Sequence, residues 1–338
     1  MRHTLSLILI SLLSLAPATR AQDDNTLVEI TPEARAAIER GLAFLAKTQN
    51  DDGNFGGERY GKHVGITSLA CLAFMADGHM PDRGPHGQTL SKGLAFVINS
   101  SSDAGLLAAA NTSHGPMYGH GFATLFLGEV YGMTPNRDTR RTLQKAVRLI
   151  VASQNHQGGW RYQPVPADAD ISVTICQIMA LRSARNAGLS VPKNTIDRAV
   201  EYVRNCQNPD DGGFRYMIGS GGSAFPRSAA GLASLYYAGI YEGDEVASAL
   251  AYLERQRPGT PQASRGGYYY YGHYYAAQAM FLAGGEHWKQ WYPAIREELL
   301  ARQQPDGSWN GNHGTTYSTA MSLIILQMPN RLLPIFER

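Results

Sequence analysis

Four segments of this 338-residue chain carry the same turn: LAKTQNDDGNFGG, IVASQNHQGGWRY, VRNCQNPDDGGFRY and LARQQPDGSWNG. In each, an apolar-periodic stretch ends at a Gln, a Gly follows four or five residues later, and an aromatic stands two residues beyond that Gly. The glutamines are Gln49, Gln154, Gln207 and Gln303, separated by 105, 53 and 96 residues. Those intervals are close to two, one and two units of about 50 residues, which predicts degenerate copies in the two gaps. Both are visible: SKGLAFVINSSSDAGLL ends its helical pattern near Asn99, and ALAYLERQRPG reaches Gln256 before Arg265-Gly266-Gly267-Tyr268. Six units fill residues 32–330.

Each unit reads as two helices. The first is amphipathic, with apolar residues three and four apart such as Ile38, Leu42 and Leu45 and charges between them. The turn segment then breaks the helix with Asn, Asp and Gly. The second helix is almost entirely small or apolar, as in GITSLACLAFMADG, HGFATLFLGEVYG, SAAGLASLYYAG and TYSTAMSLIIL. A helix apolar on every side must be buried. An amphipathic outer helix alternating six times with a buried inner one predicts an all-α fold, an (α/α)6 toroid of six hairpins. The repeated Gln is expected to bond open backbone groups at the helix junction, the Gly to allow a positive φ, and Phe55, Trp160, Phe214 and Trp309 to pack over the junction. Residues repeated around a ring are structural.

Composition narrows the partners. Residues 1–21 read as an export signal: a basic MRH start, the apolar run LSLILISLLSL, and a small-residue exit with Thr19 and Ala21 placed for cleavage before Gln22. Residues 22–31 are then a linker and 331–338 a C-terminal tail. Without the leader's Arg2 and Arg20 the chain carries 28 Lys+Arg against 28 Asp+Glu. A neutral chain argues against nucleic acid, whose affinity rests on neutralised phosphates. No later segment approaches the 18 or so apolar residues of a membrane span. An exported protein, periplasmic or extracellular, is expected. Cys71, Cys176 and Cys206 are too few and too scattered for a disulfide framework or a metal-ligand pattern, and read as buried small hydrophobes.

The Gln-x3-Gly-x-Trp element after an outer helix resembles the repeat of squalene/hopene and other terpenoid cyclases, shared in looser form by protein prenyltransferase β-subunits. The resemblance covers nearly the whole mature chain and is strongest to short, exported single-toroid proteins with prenyltransferase and squalene-oxidase repeats. It implies the toroid, a central and largely apolar cavity, and an isoprenoid-like ligand. The stretch Ala167-Asp168-Ala169-Asp170-Ile171-Ser172 resembles the Asp-x-Asp-Asp-Thr motif of class II terpenoid cyclases. There the second Asp, here Asp170, is the general acid, supported here by Asp168; the third Asp is replaced by Ile171. The same residues also suit a helix N-cap. Prenyltransferase zinc ligands by resemblance fall near Tyr271, His273 and Tyr317, of which only His273 can ligate, so neither metal nor cofactor is expected.

Inner helices of such a toroid all begin at one rim, where their positive dipole ends converge. Polar residues stand at those starts: His63, Tyr118, His120, Asp168 and Asp170, Arg227, Tyr271, His273, Tyr274 and Tyr275, then His313 and Tyr317. They are the candidate ligand-contacting set, with Asp170 and Asp168 as candidate acids. The Tyr268 to Tyr275 run offers faces for cation–π contact or ring stacking, or for a rigid packing belt. Three functions fit: a terpenoid-cyclase-like protein acting on an apolar ligand, a non-catalytic binder of a peptide, glycan or lipid, and a polysaccharide lyase-like enzyme pairing Arg227 with Asp168 or His120.

Overall fold

The computed structural model describes residues 29–109, 114–260 and 268–337; the leader and the fifth turn's Arg265-Gly266-Gly267 lie outside them. The helices in order are α1 Pro32–Thr48, a single turn α2 Gly57–Tyr60, α3 Val64–Ala76, α4 Gly87–Asn99, α5 Met117–Met133, α6 Arg137–Ala152, α7 Ile171–Asn186, α8 Lys193–Cys206, α9 Phe225–Tyr237, α10 Asp244–Glu254, α11 Tyr269–Ala283, α12 Gly285–Arg302 and α13 Thr315–Leu326. No helix among the described residues is long and apolar enough to cross a membrane.

The inner helices α3, α5, α7, α9, α11 and α13 pack each on the next, and α13 returns onto α3. That closes the ring of six hairpins the repeat predicts. Burial follows the sequence pattern: every residue of α3 is buried, whereas outer helix α6 buries one stripe, Thr139, Thr142, Leu143, Ala146, Val147 and Ile150. Cys71, Cys176 and Cys206 are free and buried.

The repeated turn does more than cap its own helix. Gln154 Nε2 donates to Gly158 O (2.8 Å) in its own turn and to Thr195 O (2.9 Å) in the first turn of the next outer helix. Gln49 reaches Gly53 O and Thr89 O, Gln207 reaches Gly212 O and Glu245 O, and Gln303 reaches Gly307 O and Ala37 O in the same way. One primary amide thus joins neighbouring units, and Gln303 joins the last unit to the first. Trp160 and Trp309 direct Nε1 to Ile150 O and Leu299 O, both at 2.8 Å, and lie fully buried over the junction. Gly158, at φ +99°, packs so closely on Arg198 that a Cβ would meet its carbonyl oxygen at 2.1 Å.

A second regularity ties inner helix to turn. The backbone N–H of the turn's apolar residue donates to a side chain one turn into the inner helix: Phe55 to Thr67, Trp160 to Thr174, Phe214 to Ser228 and Trp309 to Thr319. In the second unit, Leu107 N–H donates to His120 Nδ1 (3.1 Å).

A 3-10 turn, Pro334–Phe336, packs against α5, α7 and α11, across the mouth opposite the rim of inner-helix starts. Leu333, Ile335 and Phe336 are buried. Residues 331–337 therefore lie across this mouth.

Candidate functional site

The heads of the inner helices meet at one rim, where Gly65 and Gly119 let α3 and α5 abut. The candidate residues there divide into four groups by where they point.

Asp170 caps α7, its Oδ1 accepting from Val173 N (2.9 Å). Its Oδ2 is buried and faces Arg161 Nε at 3.7 Å and the Tyr216 hydroxyl. Burial is the larger influence, pushing the carboxyl up to about 6 against the opposing pull of the Val173 amide, Tyr216 and Arg161. Asp168 turns outward to solvent and pairs with Arg161, so it does not buttress Asp170 as a second acid. The Arg161 guanidinium lies over the rings of Tyr162 (5.0 Å) and Tyr216 (5.9 Å), whose hydroxyls bond each other. Tyr118 stands beside this group, its ring centroid 6.1 Å from that of Tyr162, and burial raises its phenol above the ordinary range. Arg161, Tyr162 and Tyr216 were not singled out by sequence. Their signal is the Arg-Tyr that follows the turn aromatic in two successive units, Trp160-Arg161-Tyr162 and Phe214-Arg215-Tyr216.

The second group is engaged at helix ends and helix interfaces. His120 is buried in the junction with α6, and burial lowers its imidazole to about 4. His273 is buried against Phe225 (4.8 Å), Tyr269 (4.4 Å) and, across the outer layer, Trp291 (6.3 Å). His63 caps α3, with Nδ1 accepting from Gly65 and Ile66, and burial lowers it to about 4. These three histidines serve the helix ends and interfaces. Among the described residues no group of three or more His, Cys, Asp or Glu side chains is arranged to hold a metal ion. The pairing of Arg227 with His120 or Asp168 is likewise not made, since both of those are engaged elsewhere.

The third group fills the barrel. Tyr271 Oη donates to Ser172 O of α7 (2.9 Å), skipping α9 to do so. Tyr275, fully buried, brings its hydroxyl to Cys176, and Tyr274 meets Phe122 of α5 across the ring at 6.1 Å. Below them Tyr237 donates to Gln278 (2.5 Å). The expected largely apolar hollow is here packed by tyrosines, of which Tyr271 and Tyr275 reach α7 across the ring.

The fourth group leaves room. Between the heads of α11 and α13 lies a cleft of about 170 Å³ lined by Tyr268, Tyr271, Asn310, Asn312, His313 and Tyr317 among others. Tyr268 is 59% exposed and stacks on His313 with centroids 5.4 Å apart. Tyr60 Oη bonds His313 Nδ1 (3.2 Å), and Tyr317 meets the same imidazole edge-on. Partial burial, then the Arg59 and His114 charges, lower His313 below its usual range. A neutral imidazole held in an aromatic frame, flanked by two asparagines, presents donors, acceptors and π-faces together.

The fold is an α/α toroid whose inner helices all start at one rim. The chain belongs to the prenyltransferase alpha-alpha toroid domain family, whose model matches residues 25–266 and 123–313. A drimenyl diphosphate synthase from Streptomyces showdoensis is 24% identical over 181 residues, 54% of this chain and 32% of that protein, so the match spans about a third of that relative's length. The type II terpene cyclase MstE from Scytonema superposes with a TM-score of 0.61 at 14% identity, covering 90% of this chain and 100% of that one. An α-1,6-mannanase of Salegentibacter, in complex with α-1,6-mannotriose, gives 0.66 at 7% identity, covering 88% and 99%. At such identities the likeness is one of fold, which hosts both kinds of chemistry.

Proposed function

We propose that this protein binds a polar, ring-bearing ligand of the saccharide class at the inner-helix rim, with one ring seated between the heads of α11 and α13. The observation that carries this reading is where free space lies at the rim of inner-helix starts. The barrel is occupied by Tyr271, Tyr274 and Tyr275, while the cleft beside Tyr268, Asn310, Asn312 and His313 is open. At about 170 Å³ that cleft is below the 300 to 1,000 Å³ of pockets that enclose a whole drug-sized ligand, so it suits one ring of a longer chain. Stacking surface and amide groups side by side suit a sugar ring, which has apolar faces and a hydroxylated edge. The neighbour solved with mannotriose gives this ligand class a precedent on the same fold.

A second reading is acid catalysis on an isoprenoid, as in the type II terpene cyclases. Asp170 favours it, being a buried carboxyl whose proton affinity lies nearer neutrality than that of an exposed Asp.

The test is calorimetric titration of the chain from Gln22 onward with α-1,6-mannotriose and, separately, with geranylgeranyl dihydroxybenzoate, followed by mass spectrometry of both mixtures. Saccharide binding that weakens about tenfold or more in Tyr268→Ala is expected. Conversion of the geranylgeranyl compound to a cyclised isomer, abolished by Asp170→Asn, overturns the first reading in favour of the second. Export of the chain, read from residues 1–21, belongs to the same proposal and is tested by the N-terminus of the secreted product, expected at Gln22.

A further inference from the structure

The mouth opposite the rim is stopped by residues 331–337, and their fastening rests on a buried acid. Glu129 of α5 is 1% exposed. Its Oε2 accepts from the Ile335 backbone N–H (3.0 Å), and its Oε1 lies 2.6 Å from Ser183 Oγ on α7; Ser183 Oγ also reaches Leu125 O (3.1 Å), so it can accept the proton of the neutral acid. Arg182, one residue earlier on α7, reaches Glu337 O and Tyr237 O, both at 3.4 Å. Phe336 meets Phe281 of α11 at 6.4 Å, and Asn330 Nδ2 donates to Ala76 O at the end of α3. Three inner helices, α5, α7 and α11, thus hold the segment, yet its attachment is small. Burial of Leu333, Ile335 and Phe336 is set against the ordering entropy of the segment, and these contributions are of similar size. A change at one fastening can therefore shift the balance.

We propose that residues 331–337 form a proton-sensitive stopper of the barrel, held in place while Glu129 is neutral and loosened when it ionises. The groups around Glu129 are Ser183 on α7, Tyr237 on α9 with Arg182 of α7 beside it, Tyr274 on α11 and the Ile335 amide of the stopper. Arg182 is the only cation in that set and is already turned to the Glu337 and Tyr237 carbonyls; Tyr237 and Tyr274 stay protonated, burial holding their phenols well up. Ionisation then leaves a carboxylate in an apolar mouth with two hydrogen bonds for compensation, which is the costly arrangement. Burial accordingly raises Glu129 to about 7, against the weaker opposing pulls of Ser183 and Ile335. With the stopper withdrawn, water reaches the carboxyl and its affinity for the proton returns towards the ordinary Glu range. Withdrawal is thus coupled to loss of a proton, and rising pH favours it.

Hydrogen exchange of the full chain tests this, reading the Ile335 and Phe336 amides at pH 5 and pH 8 after correction for intrinsic rates, with the α13 amide of Leu323 as reference. The expected result is that protection of the two stopper amides falls on the order of 100-fold, from a shift of roughly two units, relative to Leu323. In Glu129→Gln, which keeps an acceptor and cannot ionise, that fall should vanish. Ser183→Ala, which removes a bond that favours the charged form, should move the midpoint to higher pH. Stopper protection that does not change with pH in the unaltered chain overturns the proposal without any variant having to fold. So does an equal fall in Glu129→Gln.

Discussion

Tyr275 Oη lies 3.3 Å from Cys176 Sγ, joining α11 to α7 across the middle of the ring. The pair decides how much room the barrel offers, because both residues are buried and a hydroxyl meeting a thiol leaves no channel between the two walls. Burial pushes the Cys176 thiol up to about 12, so the contact is between neutral groups at any ordinary pH.

Truncating Tyr275 should open the barrel. Tyr275→Ala removes a large, fully buried ring with little chance of collapse against rigid inner helices, and a loss of about 3–5 kcal/mol is expected from chemical denaturation. The cavity left should take up a small apolar molecule such as benzene, seen as a rise in melting temperature that the unaltered chain lacks. Absence of that rise would mean that neighbouring tyrosines fill the space.

The bridging glutamines should matter in proportion to their burial. Gln154→Ala strips partners from two carbonyls, Gly158 O and Thr195 O, and should cost about 1–3 kcal/mol. Gln49 makes the matching bonds at a more exposed position, where water can substitute, so Gln49→Ala should cost less. Urea midpoints of the two variants, compared at equal slope, give the ranking.

Two glycines separate conformational strain from collision. Gly188 at φ +85° has nothing within 4 Å of a built Cβ, so Gly188→Ala should cost about 1 kcal/mol from backbone strain alone. Gly158→Ala adds an overlap with the Arg198 carbonyl that no side-chain movement relieves, and more than about 3 kcal/mol is expected. Thermal unfolding of the pair would refute the packing account if the two losses were equal.

Asp170 should leave a signature in stability against pH. Its pKa is about 6 when folded, above its ordinary value of 3.8, so the folded chain holds this proton more tightly. The stabilisation is complete below pH about 4 and is lost as pH rises through about 6, a change on the order of 3 kcal/mol. Asp170→Asn keeps an N-cap acceptor for Val173 and removes the titration. Melting temperatures of the variant minus those of the unaltered chain should therefore rise between pH 4 and pH 6.5. A flat difference would mean that Arg161 cancels the burial.

Periodicity exposed most of the architecture before any coordinates. Gln49, Gln154, Gln207 and Gln303, with their glycines and aromatics, mark the outer-helix ends, and the uniformly apolar runs mark the inner helices, because burial on all sides leaves no other composition. What the glutamines bridge was not legible: the second acceptor, such as Thr195 for Gln154, lies about 40 residues on, and nothing in the spacing names it. The rim was found only in part. Residues were placed correctly at the helix heads, but which way His120 or His273 points depends on helix phase, and a difference of one position separates the barrel from the outer layer. His120 does the work that Thr67 and Thr174 do in their own units, and a histidine in that role looks like a ligand until the amide it accepts from is seen. The stopper escaped notice because Leu333, Ile335 and Phe336 have no repeat partner to reveal them.

The bond from Gln303 to Ala37 O gives the molecule no first or last unit. In an open array of repeats the end units lack a neighbour and fray, and unfolding can creep inward from them. Here every hairpin is flanked on both sides, so loss of any one exposes two faces at once and the cost of the first step is the highest. The ring should accordingly melt as one cooperative body, and a nick between hairpins should lower the barrier wherever it is placed.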